Sequence, residues 1–152
     1  VNNNLKAKDI MSKDVIVVSE EDTVKQVAKL FVERKIGGAP VMRDEKIVGI
    51  VSEDDLIMQD VKLHFPTFIQ FLDSFIYLQS MKRFEETLRK AVGARIKDVM
   101  STEIVTAGEE DSIEDIATLM AEKRINRVPI VRDGKLVGMV TKGDIVRAIS
   151  RT

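Results

Sequence analysis

Two seven-residue stretches carry the side chains best suited to chemistry: Gly49-Ile50-Val51-Ser52-Glu53-Asp54-Asp55 and Gly138-Met139-Val140-Thr141-Lys142-Gly143-Asp144. Both read Gly-x-x-Ser/Thr-x-x-Asp where an apolar, strand-like run gives way to a helix start. A hydroxyl three residues ahead of a carboxylate is the pattern of a capping box. The same junction also suits a nucleoside. Free N–H groups and a hydroxyl at a helix start favour a phosphate or sugar oxygen. A carboxylate there accepts from both hydroxyls of a ribose, each charge-assisted bond worth about 1.5–3 kcal/mol.

Other chemistry is excluded by what the chain lacks. It has no Cys and one His, His64. A disulfide framework, a thiolate nucleophile, a Cys-based zinc site and a multi-His metal site within one chain are therefore absent. No matched Ser and Asp spacing turns His64 into a triad member. Gly37-Gly38 precedes a strand instead of opening a helix, so it is no phosphate loop. The clusters Glu20-Glu21-Asp22 and Glu109-Glu110-Asp111 fall at expected helix starts, where carboxylates oppose the macrodipole favourably. No metal, no catalytic group and no enzymatic activity are expected.

The composition narrows the partners. Hydrophobic residues make up 44% of the 152 residues, enough for a core. Lys+Arg number 24 against 25 Asp+Glu, a net charge of −1, whereas a nucleic-acid binder normally shows a basic excess. The first residues lack the apolar stretch of a signal peptide. The most apolar region, Phe65 to Leu78, is interrupted by Gln70, Asp73 and Ser74 and falls short of a membrane span. A cytoplasmic location without a membrane span is the expectation.

The elements that hold the two junctions are themselves duplicated. Shifting the chain by 89 positions aligns Lys8–Ile57 with Lys97–Val146 without a gap, and 19 of the 50 pairs are identical. A unit of this size buries too little surface to be secure alone, so two copies packed about a pseudo-twofold axis are expected. In each copy a β-branched run, Val15-Ile16-Val17-Val18 in the first, reads as a strand. Asp22 and Asp111 are placed to cap a helix, with Glu114 adding a capping-box element. Val24, Val27, Ala28 and Phe31 follow the spacing of one helix face, as do Ile113, Ile116, Ala117 and Met120. Two apolar runs around a polar turn follow, the second copy carrying the hairpin signal Asp133-Gly134. Ser52 and Thr141 are then N-caps of a last helix. The fold class is α+β in α/β layers: two β-α-β-β-α units, residues 7–58 and 96–151, with a helical insertion at 59–95.

The insertion holds five of the six Phe (Phe65, Phe68, Phe71, Phe75, Phe84) and the only Tyr, Tyr77. Its apolar positions form two stripes on opposite sides of one helix, which predicts two helices, about 66–78 and 81–92, closed by Gly93. These aromatics pack on the repeats, form a homodimer surface, or serve a membrane-surface or aromatic-cage role. His64 reads as a plain polar side chain at a helix start.

The duplicated unit resembles the cystathionine-β-synthase (CBS) domain, paired as in a Bateman module. The matching residues are Asp9-Ile10-Met11-Ser12 and Asp98-Val99-Met100-Ser101, then Ile36-Gly37-Gly38-Ala39-Pro40-Val41 and Ile125-Asn126-Arg127-Val128-Pro129-Ile130, then the two Gly-to-Asp junctions. The resemblance implies ligand clefts between paired units for AMP, ADP, ATP or S-adenosylmethionine. Asp55 and Asp144 match its ribose-binding Asp, and Ser52 and Thr141 the adjacent hydroxyl. The segments around Gly38, Ala39, Pro40 and around Asn126, Val128, Pro129 match the backbone that meets the base. Val17 and Thr106 match positions lining the adenine pocket, and Arg127 matches a phosphate-binding Arg. Arg127 and Lys142 stand where the first copy has Gly38 and Glu53, so the second copy is expected to favour phosphorylated ligands. The combined expectation is a regulatory, energy-sensing homodimer that binds an adenosine nucleotide or a related adenosyl compound such as S-adenosylmethionine, catalyses nothing and signals to an effector protein in trans. The rival is a dimeric scaffold without ligand that works through the aromatic connector.

Overall fold

The computed structural model describes residues 4–57 and 93–152. The aromatic insertion, its two expected helices and His64 lie outside the described residues. In the first unit, the single turn α1 (Ala7–Ile10) leads to β1 (Val18–Ser19), α2 (Val24–Arg34), β2 (Gly38–Arg43) and β3 (Lys46–Ser52). A helix α3 then starts at residue 53 and is described through 57. The second unit repeats the order: α4 (Ile96–Val99), β4 (Ala107–Gly108), α5 (Ile113–Lys123), β5 (Arg127–Arg132), β6 (Lys135–Thr141) and α6 (Lys142–Ser150).

Each unit forms a three-stranded sheet, β1-β2-β3 and β4-β5-β6, with the outer short strand parallel and the hairpin antiparallel. The second hairpin turns at Asp133 (φ 52°) and Gly134 (φ 76°), the left-handed pair that a tight two-residue turn requires. The expected first strand, Val15–Val18, shrinks to Val18–Ser19 because Val15 and Ile16 leave the ladder to line a cleft. The caps also shift by one residue. Thr23 Oγ1 accepts the Gln26 N–H at 3.1 Å, and Ser112 Oγ accepts the Asp115 N–H at 3.1 Å. Asp22 and Asp111 are spent one turn earlier, on the Ser19 N–H at 2.9 Å and the Gly108 N–H at 2.7 Å. An Asp beside a Thr or Ser offers two caps of similar worth, and the preceding turn claims the carboxylate.

The units exchange their leading segments. Ala7 sits fully buried in the core of Ile113, Ile116, Met120, Val128, Ile130 and Val140 in the second unit. Its counterpart Ile96 completes the first unit's core of Val27, Phe31, Ala39, Val41 and Val51. Backbone bonds hold both: Ala7 N–H to Asp111 O at 2.9 Å, and Ile96 N–H to Asp22 O at 2.8 Å. Ser12 pairs with Met139, and Ser101 with Ile50. This explains the glycine that opens each junction. A Cβ on Gly49 would meet Met100 Sδ at 2.6 Å and Ser101 O at 2.8 Å, and one on Gly138 would meet Met11 Cγ at 2.8 Å. The acidic clusters clamp the exchanged segments. Lys8 reaches Glu110 at 2.6 Å, Lys6 joins the same carboxylate, and Lys97 reaches Glu21 at 3.1 Å. The two lysines hold the Glu110 carboxyl down at a pKa of about 2.

Candidate functional site: two clefts between the units

Each junction ends an edge strand of its sheet: β3 runs into α3 at Ser52, and β6 into α6 at Thr141. At both, the backbone N–H and the hydroxyl of the cap donate to one carboxylate oxygen. Asp144 Oδ2 accepts from Thr141 N–H at 2.8 Å and Oγ1 at 3.0 Å. Asp55 Oδ2 accepts from Ser52 N–H at 2.8 Å and Oγ at 3.2 Å. The capping reading of the motif holds in full at Thr141, whose Oγ1 also accepts the Asp144 N–H at 3.3 Å, and through the carboxylate bonds at Ser52; the second oxygen of Asp144 is met by Arg147. The helix starts offer fewer free donors than the sequence implies. Glu53 N–H bonds Gly37 O at 3.0 Å, and Lys142 N–H bonds Asn126 O at 3.0 Å.

The clefts lie between units, not within them. Thr141 and Asp144 open onto a cleft of about 350 Å³ whose far wall is Lys35, Ile36, Gly37 and Gly38 of the first unit. Ser12, Asp14, Val15, Ile16, Met139, Arg127 and Arg147 complete it. Ser52, Asp54 and Asp55 open onto a cleft of about 160 Å³ opposite Arg124, Ile125, Asn126 and Arg127 of the second unit, with Ile50, Ser101, Glu103 and Val105. The larger volume reaches the lower range of ligand pockets, about 300 Å³ and above.

Arg127 belongs to both clefts and lies where the units meet. A Cβ on its counterpart Gly38 would overlap the Arg127 guanidinium, so the guanidinium occupies the space that a side chain at position 38 would take. Burial pushes the Arg127 guanidinium below its usual pKa, against the opposing pull of Glu53, Asp54 and Asp55. It makes no ion pair within 4.0 Å among the described residues. The geometry thus changes the expected partnership of Arg127. It faces the junction of the other copy, Ser52–Asp55, as well as that of its own.

The remaining residues singled out from the sequence are dispersed. Ala39, Pro40, Val128 and Pro129 are buried in the strands that carry the cleft walls. Val17 (45% exposed) and Thr106 line neither cleft; their neighbours Ile16 and Val105 do, since adjacent side chains of an extended segment face opposite ways. Lys142 points to solvent. Sequence reasoning missed Lys35 and Arg124, which end α2 and α5 in left-handed geometry at φ 54° and 55° and present a cation to each cleft. A cation at both copies of one position is the signal that could have found them. Arg147, Asp14 and Glu103 were missed as well. Among the described residues no group of three His, Cys, Asp or Glu is placed to hold a metal, and no helix is long and apolar enough to cross a membrane.

Two duplicated sheets and two inter-unit clefts define a tandem-domain module. The chain belongs to the CBS domain family, whose model matches residues 7–61 and 96–151. It is 35% identical over 151 residues to an uncharacterised protein of Methanocaldococcus jannaschii, covering 93% of this chain and 89% of that one. Among solved structures it is similar to CBSX2 in complex with AMP, at 28% identity and a TM-score of 0.71, with 96% of each chain covered. The CBS domain pair of protein MJ0100, in complex with 5′-methylthioadenosine and S-adenosyl-L-methionine, shares the fold at 23% identity and a TM-score of 0.70, with 97% of each chain covered. The chain carries the mixed helix-and-strand fold of a CBS pair, and no separate catalytic domain accompanies it among the described residues.

Proposed function

We propose that this chain is a regulatory module that binds an adenosine nucleotide, AMP, ADP or ATP, in the clefts between its two units. The observation that carries this reading is the composite wall of each cleft. A capped carboxylate stands on one unit and a cation faces it from the other: Lys35 across from Asp144, and Arg124 and Arg127 across from Asp55. Asp144 or Asp55 accepts the ribose hydroxyls, and Lys35, Arg124 and Arg127 meet the phosphate. At an effective dielectric near 20, a cation about 4 Å from a phosphate gains on the order of 4 kcal/mol before desolvation. The AMP complex of the relative CBSX2 supports the same ligand class.

A ligand held by both units favours the arrangement in which the two walls fit it together. Only such differential affinity shifts a conformational equilibrium. The module has no catalysis of its own, assembles as a cytoplasmic homodimer, reports energy state and passes its signal to an effector protein in trans. Calorimetry with AMP, ADP, ATP and S-adenosylmethionine tests the reading, with saturable heat expected from at least one of the three nucleotides. Absence of heat from all four compounds overturns it and favours a scaffold working through the connector. Light scattering tests assembly, and a monomeric mass at tens of micromolar overturns the homodimer.

A further inference from the structure

The two ribose-type carboxylates are not in the same state. At Asp144 both oxygens are engaged: Oδ2 by Thr141, and Oδ1 by the Arg147 guanidinium one turn along α6. At Asp55, Oδ2 is engaged by Ser52, and Oδ1 has no hydrogen-bond partner among the described residues. The difference is written in the repeat. The residue 89 positions before Arg147 is Met58, and the one 89 positions before Gly143 is Asp54. Gly143 removes the carboxylate that the first copy carries at this position; a Cβ there would stand in ordinary van der Waals contact, 3.4 Å from an Arg147 guanidinium nitrogen and 3.6 Å from Thr141 Oγ1. Arg147 is 63% exposed while Asp144 is 13% exposed, so the cation has space to swing away and the carboxylate does not.

We propose that Arg147 is a specificity-determining residue, a displaceable counter-ion that makes the larger cleft select phosphorylated over neutral adenosine ligands. The proposal rests on the nucleotide-binding reading and deepens it. A ligand diol that takes Asp144 Oδ1 must displace a charge-assisted hydrogen bond, the stronger kind. A neutral nucleoside offers the freed guanidinium no partner. A nucleotide does, because Arg147 lines the same cleft as Lys35 and Arg127 and the freed head lies within the reach of its own side chain. Displacement is thus unfavourable for adenosine and offset for AMP.

Calorimetry of AMP and adenosine against the wild type, Arg147→Met and Arg147→Lys decides it, repeated in an Asp55→Ala background to isolate the larger cleft. Arg147→Met copies the residue at position 58 and keeps a long side chain. It is expected to bind adenosine at least threefold more tightly and AMP at least threefold more weakly, so the preference for AMP falls about tenfold. Arg147→Lys is expected to keep most of that preference. An unchanged AMP-to-adenosine ratio in Arg147→Met, with wild-type AMP binding intact, overturns the role of Arg147 alone. No heat from the wild type with any adenosine compound overturns the parent reading and this one with it.

Discussion

The larger and smaller clefts are built on the same hydroxyl–carboxylate pair, and their described residues carry opposite charge. Around Thr141–Asp144 stand Lys35, Arg127 and Arg147 against Asp14 and Asp144. Around Ser52–Asp55 stand Arg124 and Arg127 against Asp54, Asp55 and Glu103. Both caps share the two bonds from the cap N–H and hydroxyl to the carboxylate. The contrast comes from two pairs of equivalent positions, Asp54 and Gly143, and Met58 and Arg147, while Arg127 borders both clefts. Duplication therefore preserved the frame, and substitution at the seam made two unlike sites. The Gly38–Arg127 pair shows the constraint most clearly. A side chain at position 38 would have to displace the Arg127 guanidinium from where it lies, so the pair is complementary in size.

The comparison is broken most severely by removing what one unit lends the other. Ile96 is encoded in the second copy and buried in the core of the first. Ile96→Ala is expected to cost about 2–5 kcal/mol, as buried aliphatic truncations do. Hydrogen exchange should show protection lost first in β2 and β3, beneath the Asp55 cleft. Loss confined to β5 and β6 contradicts the exchange of segments.

Next in size is the seam. Gly38→Val places methyl groups where the Arg127 guanidinium lies. It should lower stability by about 1–3 kcal/mol, the usual effect of overpacking. AMP binding should weaken in both clefts together while adenosine binding changes little, because Arg127 serves both. Melting curves and calorimetry on the same preparation measure the two effects, and weakening of one cleft alone argues against a shared arginine.

The difference in charge and volume sharpens into a binding prediction. Asp144→Ala should weaken AMP at least tenfold, or about 1.4 kcal/mol, and Asp55→Ala should do less. Equal losses by calorimetry remove the proposed advantage of the larger cleft.

The smallest effect concerns the clamp on the leading segments. Glu110 titrates near 2 in the folded chain, against an ordinary value of 4.5, because Lys6 and Lys8 favour its charged form. A depressed carboxylate contributes stability that is present above its unfolded value and lost as pH falls through the folded one. Glu110→Gln should therefore lower the melting temperature slightly at pH 7. The gap from wild type should shrink below about pH 4.5 and close near pH 2. High salt should shrink it too, since the pair is exposed. A gap independent of pH and salt shows that these charges do not hold the segment.

Much of this molecule was legible before folding. The offset of 89, the element order, the hairpin at Asp133-Gly134 and the caps at Ser52 and Thr141 follow from local chemistry, in which each residue answers to neighbours a few positions away. Where two local answers were equally good, as with Asp22 beside Thr23, the sequence alone was misleading by one residue. The clefts lay beyond such reasoning. Their walls join Asp144 to Lys35 and Asp55 to Arg124, residues far apart in the chain, and nothing local records which unit lends which wall. Packing decided that. Each small unit closes its core with the other's leading segment, at Ala7 and Ile96. That exchange fixes how the units face one another, and so decides which cation each carboxylate meets.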